Sequence, residues 1–261
     1  MALSDRMGTL LSALVRSLFP FGQTLTVVTG PLKGWKYELS PGMGVSYALP
    51  FGDPFNFAWF CRHIKKGMTV YDVGANRGQM TLLFSKLTGK SGRVYAFEPL
   101  PQAFQSLSAN CVLNHLSNAV PHQVAVCASL GQCTLVTFPG RPTQSKIEGV
   151  EPSYFYPQAQ SIPVEAMTLD SILDRGVVPD LIKIDVEGGG AEVLKGAEKL
   201  LKEHSPQIYI ELHGPDEQRG VNEFLISNGF TVETLTGQRI ADATTQWANP
   251  LYCYREPRTE N

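Results

Sequence analysis

The stretch from Met68 to Leu87 constrains the fold of this chain more than any other. An apolar, β-branched run over residues 68–71 leads to Asp72 and then into the turn Gly74–Gly78, and a helical pattern follows over residues 79–87. This succession predicts a strand, a tight turn and a helix, which is the opening unit of a doubly wound α/β sheet. In such sheets, ligands bind beyond the carboxyl ends of the strands.

Strand-like and helix-like runs alternate along the rest of the chain, which predicts a mostly parallel sheet. After the opening strand, we predict strands at residues 93–97, 122–126, 180–184, 207–213, 230–235 and 251–254, with an extra strand at 132–138. We predict helices at residues 101–115, 168–175 and 217–228, and one that follows the fourth strand and runs to about residue 204. Residues 21–60 predict a small hairpin or cap, and the aperiodic segment 139–161 predicts a substrate-side lid or a variable insertion.

The turn after the first strand indicates which nucleoside cofactor the sheet accepts. A dinucleotide site requires G-x-G-x-x-G, so that bare backbone can approach a pyrophosphate at a helix N-terminus. Here Asn76 stands where the second glycine would be, and Asp72 at the mouth of the turn would repel a pyrophosphate. S-adenosylmethionine has no phosphate, so Asp72 suits its cationic end, and Glu98 can accept hydrogen bonds from both ribose hydroxyls. An ordinary glycine-rich turn with a helix-capping aspartate is the alternative.

Composition and charge exclude several other classes of protein. The net charge of −2 does not favour a nucleic-acid surface. The five cysteines are odd in number and lack C-x-x-C spacing, which argues against a zinc site or a disulfide framework and indicates a cytoplasmic protein.

Residues 1–20 carry apolar side chains at near-helical spacing interrupted by Arg6 and Arg16, so we expect a helix that packs on the domain, mediates self-association or contacts a membrane surface. The sequence leaves the oligomeric state open.

Five short motifs in register resemble those of the FkbM family of S-adenosylmethionine-dependent methyltransferases. They are Asp72–Gly78, Phe97–Phe104, Leu181–Gly188, Val193–Ala197 and the pair Glu211 and His213. The resemblance implies a Rossmann-like class I methyltransferase fold of the α/β class, with a seven-stranded, mostly parallel sheet and a final antiparallel strand. It also implies methyl transfer, usually to a hydroxyl oxygen on a sugar, polyketide or similar small molecule. We therefore expect residues 1–60 to form an N-terminal helix and cap, and residues 61–261 to form the methyltransferase domain.

The expected cofactor-binding residues lie at or just beyond the first three strands. They are Asp72, Gly74, Asn76, Gly78, Glu98, Pro99 and Ala128. Ala128 is included because residues just past a third strand at 122–126 would lie where an adenine ring can be received.

Methyl transfer to a hydroxyl requires alignment of the oxygen and removal of its proton. Asp185 ends the fourth strand, so we expect it to act as the general base or to anchor the acceptor hydroxyl. Lys183 points to the same face of the strand and would favour the ionised form of Asp185, or would serve as a structural ion-pair partner. Glu187 and His213 are further catalytic candidates, and histidine ordinarily titrates near pH ~6.5, which suits proton removal. Structural hydrogen bonding of His213 in a neighbouring turn is the alternative.

Two further alternatives concern the same residues. Asp185, Glu187, Glu211 and His213 could instead hold a divalent metal that polarises the acceptor hydroxyl, although their spacing does not prove it and we do not favour it. The chain also has Gly190 about where the family usually carries an acidic residue, and Glu192 is the nearest replacement in the sequence. This departure supports a second hypothesis, a non-catalytic cofactor-binding subunit with regulatory or assembly roles.

Overall fold

The structure, a computed structural model, describes residues 18–40, 54–138, 145–149, 158–241 and 248–256. The strands are Thr24–Thr26 (β1), Lys36–Glu38 (β2), Thr69–Val73 (β3), Arg93–Phe97 (β4), Ala119–His122 (β5), Ala125–Val126 (β6), Gly131–Thr137 (β7), Ser145–Ile147 (β8), Gln160–Met167 (β9), Leu181–Ile184 (β10), Gln207–Ile210 (β11), Thr231–Thr234 (β12) and Leu251–Tyr254 (β13). The helices are Pro54–His63 (α1), Gln79–Thr88 (α2), Pro101–Leu113 (α3), Leu169–Leu173 (α4), Gly190–Lys195 (α5), Glu198–Glu203 (α6) and Pro215–Ser227 (α7).

Seven strands form one sheet in the order β12-β13-β11-β10-β3-β4-β5. The strands β11, β10, β3, β4 and β5 pair in parallel, and β13 pairs antiparallel with both β11 and β12. Val73 pairs with Phe97 on one side and with Ile184 on the other, so the carboxyl ends of three central strands are level. The fold predicted from the sequence is thereby confirmed. Because the chain moves outward from β3 in both directions, the sheet has a switch point between β3 and β10.

The third strand of the sheet was predicted at the wrong position. β5 spans Ala119–His122, whereas Ala125–Val126 belong to a second sheet of four strands in the order β6-β9-β7-β8. The predicted extra strand is the β7 of this second sheet, which pairs along its whole length with β9. The predicted lid therefore contains β8 and the start of β9, while residues 139–144 and 150–157 lie outside the described residues.

Both faces of the large sheet are covered, because alternate side chains of each central strand point to opposite sides. Tyr71, Ile182 and Ile208 pack with the side chains of α5, α6 and α7 on one face. Val70 and Leu181 pack on the other face with α2 and with apolar residues of the N-terminal segment, namely Val27, Leu32, Tyr37, Leu39, Trp59 and Phe60. The predicted hairpin is confirmed as β1 and β2. The boundary near residue 60 stays a prediction, and residues 1–17 lie outside the described residues.

Two helices differ from their predicted bounds. α3 ends at Leu113 rather than at residue 115. Val112 on this helix is 75% exposed, whereas Asn110 is buried and its side-chain oxygen accepts a hydrogen bond from the Glu38 N–H. The helix expected to run to about residue 204 is divided into α5 and α6 at Gly196. A Cβ at Gly196 would lie 2.1 Å from the Cys127 carbonyl oxygen, so this close approach requires a glycine. None of the described helices combines the length and apolar character needed to cross a bilayer.

Candidate active site

A cleft of about 420 Å³ opens at the carboxyl ends of the central strands, next to the switch point of the sheet. This volume is within the range of small-molecule and cofactor sites, and the position is where open α/β sheets bind ligands. The cleft is lined by Val73, Gly74, Asn76, Phe97, Glu98, Pro99, Val124, Ala125, Val126, Leu135, Ser145, Lys146, Ile147, Asp185, Val186, Glu187, Glu211 and His213.

The turn after β3 brings its backbone close to the end of β10. Gly74 has φ of +75°, and a Cβ there would lie 1.8 Å from the Asp185 carbonyl oxygen. Asn76 also adopts a left-handed conformation, with φ of 50°. Gly78 has φ of +88°, and its Cβ would lie 2.6 Å from Leu107 Cδ1 of α3. Both glycines are therefore required by close packing, and Gly74 leaves bare backbone at the floor of the cleft.

Glu98 occupies the part of the cleft next to this turn. Its Oε2 accepts a hydrogen bond from the Asn76 N–H at 2.8 Å, and its Oε1 accepts one from the Leu100 N–H at 2.8 Å. Burial raises the pKa of Glu98 to about 7, although these two N–H groups lower it. From the described residues each oxygen accepts one hydrogen bond, and a carboxylate oxygen can accept two, so the group has capacity for an occupant of the cleft.

Asp72 is placed behind the cleft wall and does not line it. The residue is completely buried, and its carboxylate accepts a hydrogen bond from Thr81 Oγ1 at 2.6 Å and lies 3.4 Å from Lys183 Nζ. The strand places Asp72 one residue before the last, so its side chain points into the packed layer rather than out of the strand end. Any influence of Asp72 on a cofactor is therefore indirect, through Lys183.

Lys183 connects the end of β10 with the turn after β3. Its Nζ donates a hydrogen bond to the Gly74 carbonyl oxygen at 3.0 Å and lies 3.4 Å from Asp185 Oδ2. Burial lowers the pKa of Lys183, but Asp185, Asp72 and Glu211 together raise it above its ordinary value, so the side chain is a buried cation. Lys183 and Asp185 therefore lie on the same side of the strand, as the strand alternation predicted.

Acidic side chains and one histidine form the opposite part of the cleft. His213 Nε2 lies 3.4 Å from Asp185 Oδ1 and 3.8 Å from Glu187 Oε2. Burial raises the pKa of Glu187, and the neighbouring charge of Asp185 raises it further. The pKa of Glu211 is raised by the same two causes. Glu187 also has φ of 45°, a conformation that non-glycine residues adopt at a cost and that recurs at functional sites.

The space beside Gly190 is taken by a carboxylate from elsewhere in the chain. Glu217 of α7 lies there, and its Oε1 accepts a hydrogen bond from the Gly190 N–H at 2.8 Å. Glu192, the replacement considered from the sequence, instead pairs with Lys195 at 2.6 Å on the surface. Sequence reasoning missed Glu217 because its distance along the chain from Gly190 hides the contact.

The structure brings together most of the residues selected from the sequence. The ones that line the cleft are Gly74, Asn76, Glu98, Pro99, Asp185, Glu187 and His213, while Asp72 and Lys183 lie behind it. Gly78 and Ala128 are not in the lining. Ala128 packs against Gly196, and Val124–Val126 face the cleft instead, because the third strand ends at His122. Within the described part of the chain, no three or more His, Cys, Asp or Glu side chains are arranged to hold a metal ion.

Sequence reasoning also missed the wall that the second sheet adds to the cleft. Leu135 of β7 and residues 145–147 of β8 form this wall. The sequence does carry a signal for a strand of this second sheet. Over β9, Ile162, Val164 and Ala166 alternate with more polar residues, which is the pattern of a half-buried strand.

Comparison with known proteins places these motifs in a family. Residues 72–233 match the model of the methyltransferase FkbM domain. The methyltransferase sdnD of Sordaria araneosa is 29% identical over 191 residues, which cover 62% of this chain and 73% of that protein. The 31-O-demethyl-FK506 methyltransferase FkbM of Streptomyces tacrolimicus is 30% identical over 203 residues, which cover 66% of this chain and 77% of that protein. The hexuronic acid methyltransferase AglP of Haloferax volcanii is 25% identical over 166 residues, which cover 63% of this chain and 64% of that protein.

Proposed function

Because this chain belongs to the family of FkbM methyltransferase domains, we propose that it transfers a methyl group from S-adenosylmethionine to a hydroxyl oxygen. The acceptor in this proposal is a sugar, a glycan or another hydroxylated small molecule. The names of two relatives support this class, since one is a demethyl-FK506 methyltransferase and another is a hexuronic acid methyltransferase. The net charge of −2 does not favour a nucleic-acid acceptor.

The residues of the cleft fit S-adenosylmethionine. Glu98 presents a carboxylate with free acceptor capacity, as a ribose diol requires. Gly74 offers bare backbone where any side chain would collide with Asp185. The apolar residues Val124–Val126 and Pro99 form a wall of the kind that receives an adenine ring. S-adenosylmethionine supplies an electrophilic methyl group on a positively charged sulfonium.

The observation that carries the proposal is the pairing of Asp185 with His213 inside the same cleft as Glu98. An acceptor oxygen that gains a methyl group must lose its proton, and a carboxylate and an imidazole 3.4 Å apart can accept that proton between them. In this assignment, Asp185 holds the acceptor hydroxyl and removes its proton, and His213 is the neighbouring group that can share it. Lys183 places a positive charge 3.4 Å from the carboxylate of Asp185 on the side of β10.

The test of the proposal begins with the cofactor and then uses a panel of acceptors. Calorimetry should detect binding of S-adenosylmethionine, whereas tight binding of NAD without binding of S-adenosylmethionine would overturn the cofactor assignment. Turnover is then measured with a labelled methyl donor and a panel of glycosides and other hydroxylated small molecules. Transfer of the label to an oxygen, located by mass spectrometry, is the expected result, and transfer to nitrogen or carbon would contradict it.

The role of Asp185 is tested with the best acceptor of that panel. The substitution Asp185→Asn should lower kcat by about 100- to 10,000-fold, because the amide cannot remove the proton. The control is Asp216→Asn on α7, since the side chain of Asp216 is 75% exposed and is not part of the lining of the cleft. Full turnover by Asp185→Asn would rule out a base at this position.

A further inference from the structure

Glu217 is a buried carboxylate that none of the steps above uses. Its side chain is only 2% exposed although it lies in the first turn of α7, and its two oxygens contact two different segments of the site. Oε1 accepts a hydrogen bond from the Gly190 N–H at 2.8 Å, and Oε2 accepts one from the His213 N–H at 2.6 Å. Hydrogen bonds from N–H groups to a carboxylate are stronger than neutral ones, so this link holds the two segments firmly.

The two segments carry the proposed catalytic side chains on the two sides of the cleft. Gly190 begins α5 and follows the turn that contains Asp185 and Glu187, whereas His213 follows β11. Glu217 is therefore a bridge between the backbone that bears the two carboxylates and the backbone that bears the imidazole. Its Oε2 also lies 3.8 Å from His213 Nδ1, on the side of the ring opposite Asp185.

Gly190 provides the space that this bridge needs. A Cβ at Gly190 would lie 2.9 Å from Glu217 Oε1 and 2.9 Å from Ile210 Cδ1. A side chain there would push the carboxylate away from the N–H group that it accepts from. The carboxylate of Glu217 thus explains why the last of the three successive glycines, Gly190, has no side chain.

We infer that Glu217 is a positioning residue, which sets the distance between His213 and Asp185 by binding the backbone of both sides of the cleft. This inference rests on the proposed function, because the alignment of these two groups matters for proton removal from an acceptor. In the described part of the chain, the charged groups that face the His213 ring are Asp185 and Glu187 from the β10 side, Glu217 from α7, and Glu211, which acts on it from the end of β11. Glu217 is the one of these four that contacts the backbone of both segments.

The direct test measures whether the contact between Asp185 and His213 depends on Glu217. The ring Cε1–Hε1 signal of His213 is assigned by nuclear magnetic resonance with the variant His213→Gln. In the otherwise unchanged protein, Asp185→Asn should displace this signal, because the carboxylate lies 3.4 Å from the ring. In the Glu217→Gln background, the same substitution should displace it by less than half as much. The two N–H groups contact different oxygens of Glu217, and in glutamine one of these two positions is an NH2 group, which donates and cannot accept.

A second variant and a control separate positioning from general stability. Gly190→Ala keeps the charge of Glu217 but displaces its carboxylate, so in this background Asp185→Asn should also displace the His213 signal by less than half as much. In the background of Glu223→Gln, at an exposed position of the same helix, Asp185→Asn should displace the signal as much as in the otherwise unchanged protein. An equal displacement of the His213 signal in all backgrounds would overturn the inference.

Kinetics give an independent readout. With the best acceptor of the panel, Glu217→Gln should lower kcat by about 10- to 100-fold, as small misplacements of catalytic groups do. Binding of S-adenosylmethionine should stay within about twofold, because Glu98 and Gly74 are untouched. A parallel loss of cofactor binding would indicate a collapsed cleft and contradict a positioning role. If the unchanged protein binds no S-adenosylmethionine, the proposed function fails, while the resonance comparison still decides the role of Glu217.

Discussion

Glu98 should make the affinity for the adenosine part of the cofactor depend on pH near neutrality. The residue is 6% exposed, and burial raises the pKa of Glu98 to about 7. A ribose diol donates two hydroxyl hydrogens, and the ionised carboxylate accepts both better than the protonated form does. With a pKa of about 7, the ionised fraction rises from about 0.09 at pH 6 to about 0.91 at pH 8. The affinity should therefore rise about tenfold over this interval, or about 1.4 kcal/mol, and fall as the carboxylate becomes protonated.

The ligand for this measurement is 5′-methylthioadenosine, because it keeps the ribose and adenine and lacks the amino-acid group of S-adenosylmethionine. Calorimetry at pH 6, 7 and 8 gives the dissociation constants. Glu98→Gln should weaken binding and remove the dependence on pH, while the exposed Asp216→Asn should keep both the affinity and its dependence on pH. Equal affinity of the unchanged protein at pH 6 and pH 8, or a persistent pH dependence in Glu98→Gln, would refute the reasoning.

Two other substitutions test the structure behind the cleft. Lys183→Met leaves the completely buried Asp72 without its counter-ion, so the free energy of unfolding should fall by about 3–5 kcal/mol, measured by urea denaturation. A loss below about 1 kcal/mol would contradict this reasoning, and Asp72→Asn combined with Lys183→Met should recover part of the loss. Gly74→Ala should cost more than the backbone strain of about 1–2 kcal/mol, because its Cβ meets the Asp185 carbonyl oxygen. The control is Gly237→Ala. Gly237 has φ of +84° and open space around the added carbon, so this variant should be destabilised by the backbone strain alone.

The elements predicted best are those whose signal is local. The run before Gly74, the turn itself and the helix after it have the predicted order, because apolar periodicity and turn residues act over a few neighbouring positions. The alternation along the chain was sufficient for the parallel sheet, and the resemblance to a known family supplied its final antiparallel strand. The cleft residues at strand ends, such as Glu98 and Asp185, followed from the same order.

The errors concern positions whose environment is set by distant parts of the chain. The third strand lies at Ala119–His122 rather than at the predicted residues 122–126, because Ala125–Val126 pair with β9, more than thirty residues later. Ala128 consequently left the cleft, since the segment after the strand turns into the second sheet. Asp72 was expected to face a cofactor, but Lys183 and Thr81 enclose it from β10 and α2.

The sequence by itself thus determined the class of fold, the edge of the sheet where the cleft opens, and the residue types available there. Periodicity, turn chemistry and the order of strands are properties of neighbouring residues, and they need no knowledge of what packs against what. Only the tertiary structure decided which carboxylates face the cleft and which are neutralised behind it. Only the tertiary structure also showed that Glu217 joins Gly190 to His213, because that contact depends on two backbones approaching within hydrogen-bond distance of one buried side chain.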